Sequence, residues 1–343
     1  MTKVAGKATL AMVAELAGVS SPTVSKVLNG RDDVAESTRT RVQEALATIG
    51  YESPVQRRVR AAGPPLVDFV CEGLSSAYAV EVLRGVVEHA ADENIEIVLS
   101  QVSPELLRET DHEDWANRLV ETGRKGLILV TSEMSEAQLL SFQRRNIPVV
   151  VIDPKSPLKD GVVSVGATNW AGGKAATDHL LGLGHSKIAY IGGPESAECH
   201  VARLHGYMAA LRSNGIEIRP EYITGGGFKS DYGVTGLASF AALDDPPTAI
   251  FASSDSIAVG VIEEARRRGI SIPGDLSLVG FDGTYLSRQT MPKLTTVAQP
   301  LGDMGRAALR SVLRLMAGDT LESHHVELAT KLIVRDSTTA PRA

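Results

Sequence analysis

The first fifty residues carry apolar positions at helical spacing, interrupted by glycine. The apolar positions of the first predicted helix are Leu10, Val13, Ala14 and Ala17. Thr9 precedes them as an N-cap, and Gly18 ends the helix. Ser20 is placed to cap a second helix whose first turn tolerates Pro22, and a third helix is predicted over about 38–48. Two short helices joined by a glycine turn and braced by a third helix form a helix-turn-helix.

From about residue 66 onward, short apolar runs alternate with helical patterns. The runs are LVDFV, EIVLS, GLILV and PVVVID, then KIAYIGG, EYITGG, TAIFAS and LSLVGFD. Helical spacing separates them near residues 79–92, 113–123, 136–145, 170–183, 203–214, 230–242 and 256–268. Runs this apolar are buried on both faces, so their alternation with helices predicts parallel sheets. Four strands in each half predict two similar lobes, with a ligand between them at the carboxyl ends of the strands.

Composition narrows the class of protein. A chain of 343 residues allows two or three domains, and a hydrophobic content of 43% is ordinary for a soluble protein. No apolar run reaches the roughly 18 residues of a membrane helix, and the N-terminus lacks the pattern of a signal peptide. The two cysteines, Cys71 and Cys199, form neither a disulfide framework nor a metal cluster. We therefore expect a cytoplasmic protein with no metal, no other cofactor and no membrane partner.

The net charge of −6 conceals a difference between the two ends of the chain. Residues 1–65 contain nine Lys or Arg against six Asp or Glu, whereas the remaining residues contain 26 against 35. A basic end on an acidic body favours a polyanionic partner for that end, although an ordinary solvated surface is an alternative source of so modest an imbalance.

The second predicted helix has an outward face suited to DNA. Lysine can donate to guanine edges or phosphates, and hydroxyl and amide groups can bond base edges or backbone. An ordinary three-helix bundle with a wet polar face is the alternative, but the glycine turn and the basic charge favour DNA. The candidate DNA contacts in this region are Thr9, Leu10, Ser20, Ser21, Pro22, Thr23, Ser25, Lys26 and Asn29.

These N-terminal motifs resemble the headpiece of the lactose-repressor/galactose-repressor (LacI/GalR) family. The resemblance lies in AGVS, TVS and VLNG, and in VAESTRTRVQEALATIGY, which is similar to the family's third helix and the Tyr after it. It places Ser21, Pro22 and Lys26 on the family's main base-reading positions. There Pro22 offers only apolar contact, and Lys26 replaces the more usual Arg, which binds guanine in a bidentate way. The resemblance also implies a homodimer that binds palindromic operator DNA.

A short basic segment, ESPVQRRVRAAGPP, follows at residues 52–65. In the LacI/GalR family this region is a hinge helix that folds on operator DNA and enters the minor groove. Folding on binding suits a segment too short to be a stable helix alone. Arg57, Arg58 and Arg60 suit phosphates or a narrow minor groove, and Arg60 falls where the family usually wedges a Leu between base steps. A flexible basic linker is the alternative.

Later blocks of the chain resemble the same family. They include GATNWAGGKAATDHLLGLGHSKIAYIGGP, DSIAVGVIEEARRRGISIPGDLSLVGFD and KLIVRDST. The resemblance implies an α/β protein with a helix-turn-helix headpiece (residues 1–53), a hinge (54–65) and a two-lobed, periplasmic-binding-protein-like core with parallel sheets (66–343). The expected lobes are an N-lobe of about 66–164 plus 298–325 and a C-lobe of about 165–297 plus 326–343.

Candidate ligand-binding residues follow the predicted strand ends. Asp153 closes PVVVID, Asp282 closes LSLVGFD, and Ser254 follows TAIFAS. The family resemblance places Arg203 and Asp282 on its effector-binding Arg and Asp, a pair that can bind adjacent hydroxyls with charge-assisted hydrogen bonds. Structural caps or an inter-lobe ion pair are the alternatives. Asp255 is interpreted as a helix cap, because SSDSIA is typical of a helix start.

Aromatic residues amount to only 4% of the chain, so those near strand ends carry information. Tyr78 follows the first strand, with Glu81 one turn beyond it as a further candidate. Trp170 begins a helix after VVSVGATN, and Phe228 follows a run of three glycines. Sugars stack their C–H faces on aromatic rings while their hydroxyls take polar partners, so this mixture favours a carbohydrate. Core packing is the alternative for Tyr78 and Phe228.

Together these features predict a sequence-specific DNA-binding transcriptional regulator. We expect a repressor of carbohydrate-utilisation genes, controlled by a sugar-like effector, a mono- or oligosaccharide, bound between the lobes. The chain has none of the dinucleotide, P-loop or nucleophile-elbow motifs, which argues against an enzyme. A purine- or corepressor-responsive regulator of the same fold and a sugar receptor without a DNA role are the alternatives. The sign of the ligand's effect stays open.

Overall fold

The structure is a computed structural model, and it divides the chain into two compact units. We refer to Met1–Pro65 as the headpiece and to Leu66–Ala343 as the core. Within the ranges that the structure describes, no helix combines the length and apolar character needed to cross a membrane. The described residues are 9–28, 31, 34–49, 51, 63–103, 110–132, 134–155 and 161–342.

The described headpiece contains three short helices, α1 (Leu10–Ala17), α2 (Ser21–Leu28) and α3 (Glu36–Ile49). The predicted caps are present: the Thr9 hydroxyl oxygen accepts from the Met12 amide at 3.4 Å. That of Ser20 accepts from the Thr23 amide at 3.3 Å. Gly18 ends α1 with φ of 63°, a left-handed conformation that glycine adopts without a Cβ penalty.

A small apolar cluster holds these helices together. Its buried members are Val13, Ala14, Ala17, Val24, Val27, Val42, Ala45 and Tyr51. Leu10, Leu28, Leu46 and Ile49 pack against the cluster while partly buried. The four apolar positions predicted for the first helix therefore lie in or against this cluster, and the helix-turn-helix prediction is confirmed.

Two six-stranded sheets form the core. The N-lobe sheet consists of β1 (Leu66–Cys71), β2 (Glu96–Gln101), β3 (Arg124–Val130), β4 (Val149–Ile152), β5 (Val163–Ala167) and β11 (His325–Leu328). The C-lobe sheet consists of β6 (Ile188–Gly192), β7 (Ile223–Gly225), β8 (Ala249–Ala252), β9 (Ser277–Asp282), β10 (Thr295–Ala298) and β12 (Lys331–Ile333). Their strand orders are β11-β5-β4-β3-β1-β2 and β12-β10-β9-β8-β6-β7. All pairings are parallel except that of β10 with β12, which is antiparallel.

Helices cover both faces of each sheet. Ile128 of β3 packs in one apolar cluster with Val67, whereas its neighbour Leu127 packs in another cluster with Phe142. This two-sided burial is why the strands are apolar along their whole length. The N-lobe helices are α4 (Ala77–Asp92), α5 (His112–Glu121), α6 (Glu136–Arg144) and α12 (Leu301–Met316). The C-lobe helices are α7 (Asn169–Gly182), α8 (Glu198–Ser213), α9 (Ser230–Phe240), α10 (Asp255–Arg268) and α11 (Leu286–Gln289).

The described chain passes between the two sheets three times, after Ala167, after Ala298 and after Leu328. The expected lobe divisions, at about residues 164, 298 and 325, lie within three residues of these crossings. β5 and β11 pair with each other up to Ala167 and Leu328, inside the N-lobe sheet. The crossing before α12 returns the chain to the N-lobe. The crossing after β11 takes it back to the C-lobe, where β12 lies.

Candidate functional site

Helix α2 presents a polar face to solvent at the positions predicted to contact DNA. The exposed or half-buried residues of this face are Ser21, Pro22, Thr23, Ser25 and Lys26. Val24 and Val27 lie on the opposite face and are buried in the headpiece cluster. The exposed face thus offers hydroxyl groups, one apolar ring and one ammonium group on a helix of major-groove size.

The remaining DNA-contact candidates have different surroundings. Thr9 and Ser20 are exposed at the two helix starts, where each hydroxyl also serves as a cap. Leu10 is half-buried and packs on the headpiece cluster. The other four candidates, Asn29, Arg57, Arg58 and Arg60, lie outside the described residues.

A cavity opens between the two lobes at the carboxyl ends of the strands. We call it the inter-lobe cavity. It leaves about 440 Å³ between its walls, open solvent included. Six of the eight predicted ligand-binding residues line it. The lining residues are Ser76, Tyr78, Thr131, Asp153, Cys199, Arg203, Phe228, Ser254, Ser256 and Asp282.

Arg203 of α8 is buried and held from several sides. Its Nε donates to the Asn169 side-chain oxygen at 2.8 Å, and its Nη1 donates to the carbonyl of Ser253 at 2.7 Å. The same Nη1 lies 3.5 Å from Oδ1 of Asp282. The guanidinium carbon lies 3.8 Å from the centroid of the Phe281 ring. These contacts fix a cation in the wall of the cavity before any ligand enters.

Asp282 ends β9 beside this guanidinium. Gln299 donates from Nε2 to Oδ1 of Asp282 at 2.8 Å. Burial raises the pKa of the Asp282 carboxyl, and the Arg203 charge only partly opposes that shift. The residue has φ of 102°, a conformation that L-residues rarely adopt. Such backbone strain is typical of functional sites, because surrounding structure must stabilise it.

Asp153 follows β4 in the N-lobe and, like Asp282, has a positive φ. Its φ is 44°, and its Oδ2 accepts from the Tyr78 hydroxyl at 2.6 Å. Burial raises the pKa of Asp153 as well, with Arg203 and the Tyr78 hydrogen bond acting in the other direction. One buried carboxylate therefore lies beside the guanidinium, and a second, from the other lobe, lines the same cavity. The arrangement supplies several hydrogen-bond acceptors and one rigid donor group to a ligand.

Ser254 and Phe228 complete the C-lobe wall. The Ser254 hydroxyl oxygen caps α10 by accepting from the Ile257 amide at 3.1 Å, while Ser254 also lines the cavity. The half-buried Phe228 ring faces the cavity, with its centroid 5.8 Å from the guanidinium carbon of Arg203. An aromatic ring beside polar groups is thus present, as the sequence predicted.

The interpretation of Asp255 as a cap is wrong, because Ser254 occupies that position. The Asp255 carboxylate is instead buried in the core. It accepts from the amide and hydroxyl of Thr284 at 2.7 and 2.9 Å, and from the Thr296 hydroxyl at 2.6 Å. It therefore joins α10 to β10 and to the turn after β9.

Two predicted ligand residues do not line the inter-lobe cavity. Glu81 is not among the lining residues, and its carboxylate pairs with Arg84 at 2.6 Å along α4. Trp170 is 48% exposed and lines a second, larger space, which we call the Trp170 hollow. Neither residue lines the inter-lobe cavity, and their roles as ligand contacts stay predictions.

Sequence reasoning missed two residues that position the Arg203–Asp282 pair. Asn169 accepts from Arg203, and Gln299 donates to Asp282. Each comes just after a strand, β5 for Asn169 and β10 for Gln299. A polar amide at a strand end was the available signal, but neither strand was among the predicted ones.

Comparisons with known proteins identify both units. The headpiece, residues 9–53, matches the lacI family of bacterial regulatory proteins, and residues 177–338 match the periplasmic binding protein-like domain. The chain is 32% identical over 335 residues to the HTH-type transcriptional repressor CytR of Escherichia coli (strain K12), covering 97% of each chain.

Solved structures agree with this assignment. The cellobiose complex of the transcriptional regulator CelR superposes with a TM-score of 0.71 at 29% identity, covering 96% of this chain and 99% of that chain. A lac repressor dimer bound to operator and the anti-inducer ONPF gives a TM-score of 0.70 at 25% identity, covering 98% of this chain and 100% of that chain.

The headpiece and the two-lobed core therefore define a DNA-binding transcriptional regulator of the helix-turn-helix class. The chain belongs to the lacI family, as the sequence motifs predicted, and its relatives are regulators rather than enzymes. The predicted fold, an N-terminal helix-turn-helix followed by a periplasmic-binding-protein-like core with parallel sheets, is confirmed.

Proposed function

We propose that this regulator is a cytoplasmic repressor of carbohydrate-utilisation genes whose effector is a saccharide bound in the inter-lobe cavity. The observation that carries the proposal is the fixed Arg203 guanidinium, which lines one cavity together with two buried carboxylates and the Phe228 ring. Vicinal hydroxyls can both donate to a carboxylate and accept from a guanidinium, and the C–H face of a sugar ring can pack on an aromatic ring. A flat, apolar ligand would leave most of these polar groups unsatisfied.

The lobes supply these groups jointly. Asp153 and Tyr78 come from the N-lobe, whereas Arg203, Phe228 and Asp282 come from the C-lobe. A sugar bonded to both sets stabilises one inter-lobe arrangement over others, because it interacts more favourably with that arrangement. This differential interaction is what an effector needs in order to change the affinity of the protein for operator DNA.

We further propose that the protein binds a palindromic operator as a homodimer through the exposed face of α2. Two headpieces related by a dyad would read half-sites about 34 Å apart, one helical turn of DNA. Ser21, Pro22 and Lys26 lead this face, and Lys26 supplies its ammonium group. The basic segment containing Arg57, Arg58 and Arg60 would add phosphate or minor-groove contacts.

Binding to DNA from the regulator's own upstream region tests both proposals. Fluorescence anisotropy would compare that DNA with a random duplex, with and without each of a panel of sugars. We expect specific binding that changes on addition of at least one sugar. Equal affinity for both duplexes under all conditions would contradict the DNA proposal, and specific binding that no sugar alters would contradict the saccharide proposal.

Two variants locate the DNA and sugar sites. Lys26→Ala should weaken specific binding, whereas Lys174→Ala removes the same charge from the core and should not. Asp282→Ala should abolish the response to sugar and leave operator binding without sugar intact. Unchanged operator affinity in Lys26→Ala would count against the assignment of α2.

A further inference from the structure

The Trp170 hollow is a second polar space between the lobes. It encloses about 1240 Å³, open solvent included, compared with about 440 Å³ for the inter-lobe cavity. Trp170 and Glu198 line it from the C-lobe, and His325 and Glu327 of β11 line it from the N-lobe. A molecule in this hollow would therefore contact both lobes, as a molecule in the inter-lobe cavity does.

The two spaces share part of their walls. Asp153 and Cys199 line both of them. Gly166 of β5 also lines the hollow, and a Cβ at that position would lie 3.1 Å from Oδ1 of Asp153. The absence of a side chain at Gly166 thus keeps this carboxylate accessible from the hollow. A ligand longer than one sugar unit could pass Asp153 and occupy both spaces.

The chemistry of the hollow favours a neutral polyhydroxylated group. Trp170, at the first turn of α7, is 48% exposed and lines the hollow, so its ring offers a surface on which the C–H face of a sugar can stack. Carboxylates of Asp153, Glu198 and Glu327 accept hydroxyl hydrogen bonds but repel phosphates and carboxylates. Among its described lining residues, the hollow contains neither Lys nor Arg.

We propose that the Trp170 hollow is a second sugar subsite, and that the effector is therefore a neutral disaccharide or longer oligosaccharide. One unit occupies the inter-lobe cavity beside Arg203, and the next unit stacks on Trp170. This inference rests on the proposed saccharide function and narrows its ligand class.

Calorimetric titration of the full-length protein tests the subsite. The probes are D-glucose, D-galactose and D-xylose, their common disaccharides cellobiose, maltose, lactose and xylobiose, and cellobiose 6-phosphate. We expect at least one neutral disaccharide to bind about tenfold or more tightly than its constituent monosaccharides, a difference of about 1.4 kcal/mol. Trp170→Ala should reduce that ratio towards one and leave the monosaccharide affinity within about twofold.

Two further variants distinguish stacking on an aromatic ring from a general loss of exposed apolar surface. Trp170→Phe keeps an aromatic ring and should retain most of the disaccharide preference. Leu140→Ala removes an apolar side chain of similar exposure, 46%, from α6, outside the hollow, and should retain all of it.

The outcomes distinguish the two proposals. Monosaccharide binding with no disaccharide preference, or a preference that survives in Trp170→Ala, would overturn the subsite while leaving the saccharide function in place. Tighter binding of cellobiose 6-phosphate than of cellobiose would also overturn it. No binding of any probe to the wild-type protein would overturn the saccharide function itself, and the subsite with it.

Discussion

At the residue scale, the inter-lobe cavity brings together charged groups that are removed from water. Asp153 and Asp282 are both buried, and a single guanidinium, that of Arg203, faces them among the residues that the structure describes. Burial raises the pKa of each carboxyl, so the ligand-free core binds protons more readily than the unfolded chain does. These two buried carboxyls therefore lower the stability of the ligand-free protein as pH rises.

The raised pKa values give the stability a pH dependence with a defined sign. When folding raises the pKa of a carboxyl, the free energy of unfolding keeps its full value below the unfolded pKa, about 3.9. The free energy of unfolding then falls as pH rises through the folded pKa. Asp282→Asn removes that titration and keeps the shape. We expect it to raise the thermal midpoint of the ligand-free protein at pH 8 more than at pH 5, measured by scanning calorimetry. Asp244→Asn, an exposed carboxylate, is the control; an equal shift at both pH values in Asp282→Asn would contradict the interpretation.

How far the site could be predicted also depends on particular residues. Asp153, Arg203 and Asp282 were predicted because each lies next to a long apolar run or a family motif. Asn169 and Gln299 were missed because their roles depend on hydrogen bonds to Arg203 and Asp282, residues 34 and 17 positions away. The spacing of apolar residues along the chain does not indicate such distant hydrogen-bond partners.

At the scale of elements, the long buried strands could be predicted and the short crossing strands could not. β1, β3 and β9 are apolar over most of their length because helices cover both of their faces. β11 alternates exposed and half-buried residues over only four positions, and β12 has only three. β11 joins its sheet by pairing with β5, and β12 joins its sheet by pairing with β10. Because these partners are distant in sequence, the local pattern could not assign β11 and β12 to a sheet.

Close helix packing in the N-lobe yields a second prediction. Gly85 of α4 lies against α12, where an added Cβ would overlap the carbonyl oxygen of Gly302. Gly85→Ala should therefore destabilise the core by about 1–3 kcal/mol, measured by urea unfolding. Gly182→Ala is the matched control: it lies at the end of α7 with no atom near the added Cβ, and should be neutral or stabilising by up to about 1 kcal/mol. Equal effects of the two substitutions would show that the α4–α12 crossing tolerates a side chain.

The basic segment at residues 52–65 gives a third prediction, drawn from its sequence alone. Each lysine or arginine that neutralises a phosphate adds about 0.9 to the log–log slope of DNA affinity against salt. Replacing Arg57, Arg58 and Arg60 together with Gln should lower that slope by about 0.9 for each phosphate that these arginines neutralise. Anisotropy titrations over a range of salt concentrations, in the absence of sugar, measure it. An unaltered slope would show that this segment does not bind the DNA backbone.

At the scale of the whole molecule, three crossings of the described chain join two lobes that both line the inter-lobe cavity. Such crossings are typical places for one lobe to rotate against the other, since a few residues absorb the backbone change. Residues 168, 299 and 329 follow β5, β10 and β11 at these crossings. A ligand that binds one arrangement of the lobes more tightly shifts the whole core towards that arrangement. We expect the affinity for operator DNA to change with this shift.

This coupling must be reciprocal if it is allosteric. A saturating sugar should change the operator Kd by the same factor as saturating operator changes the sugar Kd. We expect this factor to lie in the range of roughly 5–150-fold, which is typical of about 1–3 kcal/mol of coupling. Anisotropy measures the first ratio and calorimetry with operator duplex measures the second. In Asp282→Ala, the operator Kd should no longer respond to the sugar, because the carboxylate that senses it is gone. Ratios that disagree, or that both equal one while the sugar still binds, would mean that the inter-lobe cavity does not control the headpiece.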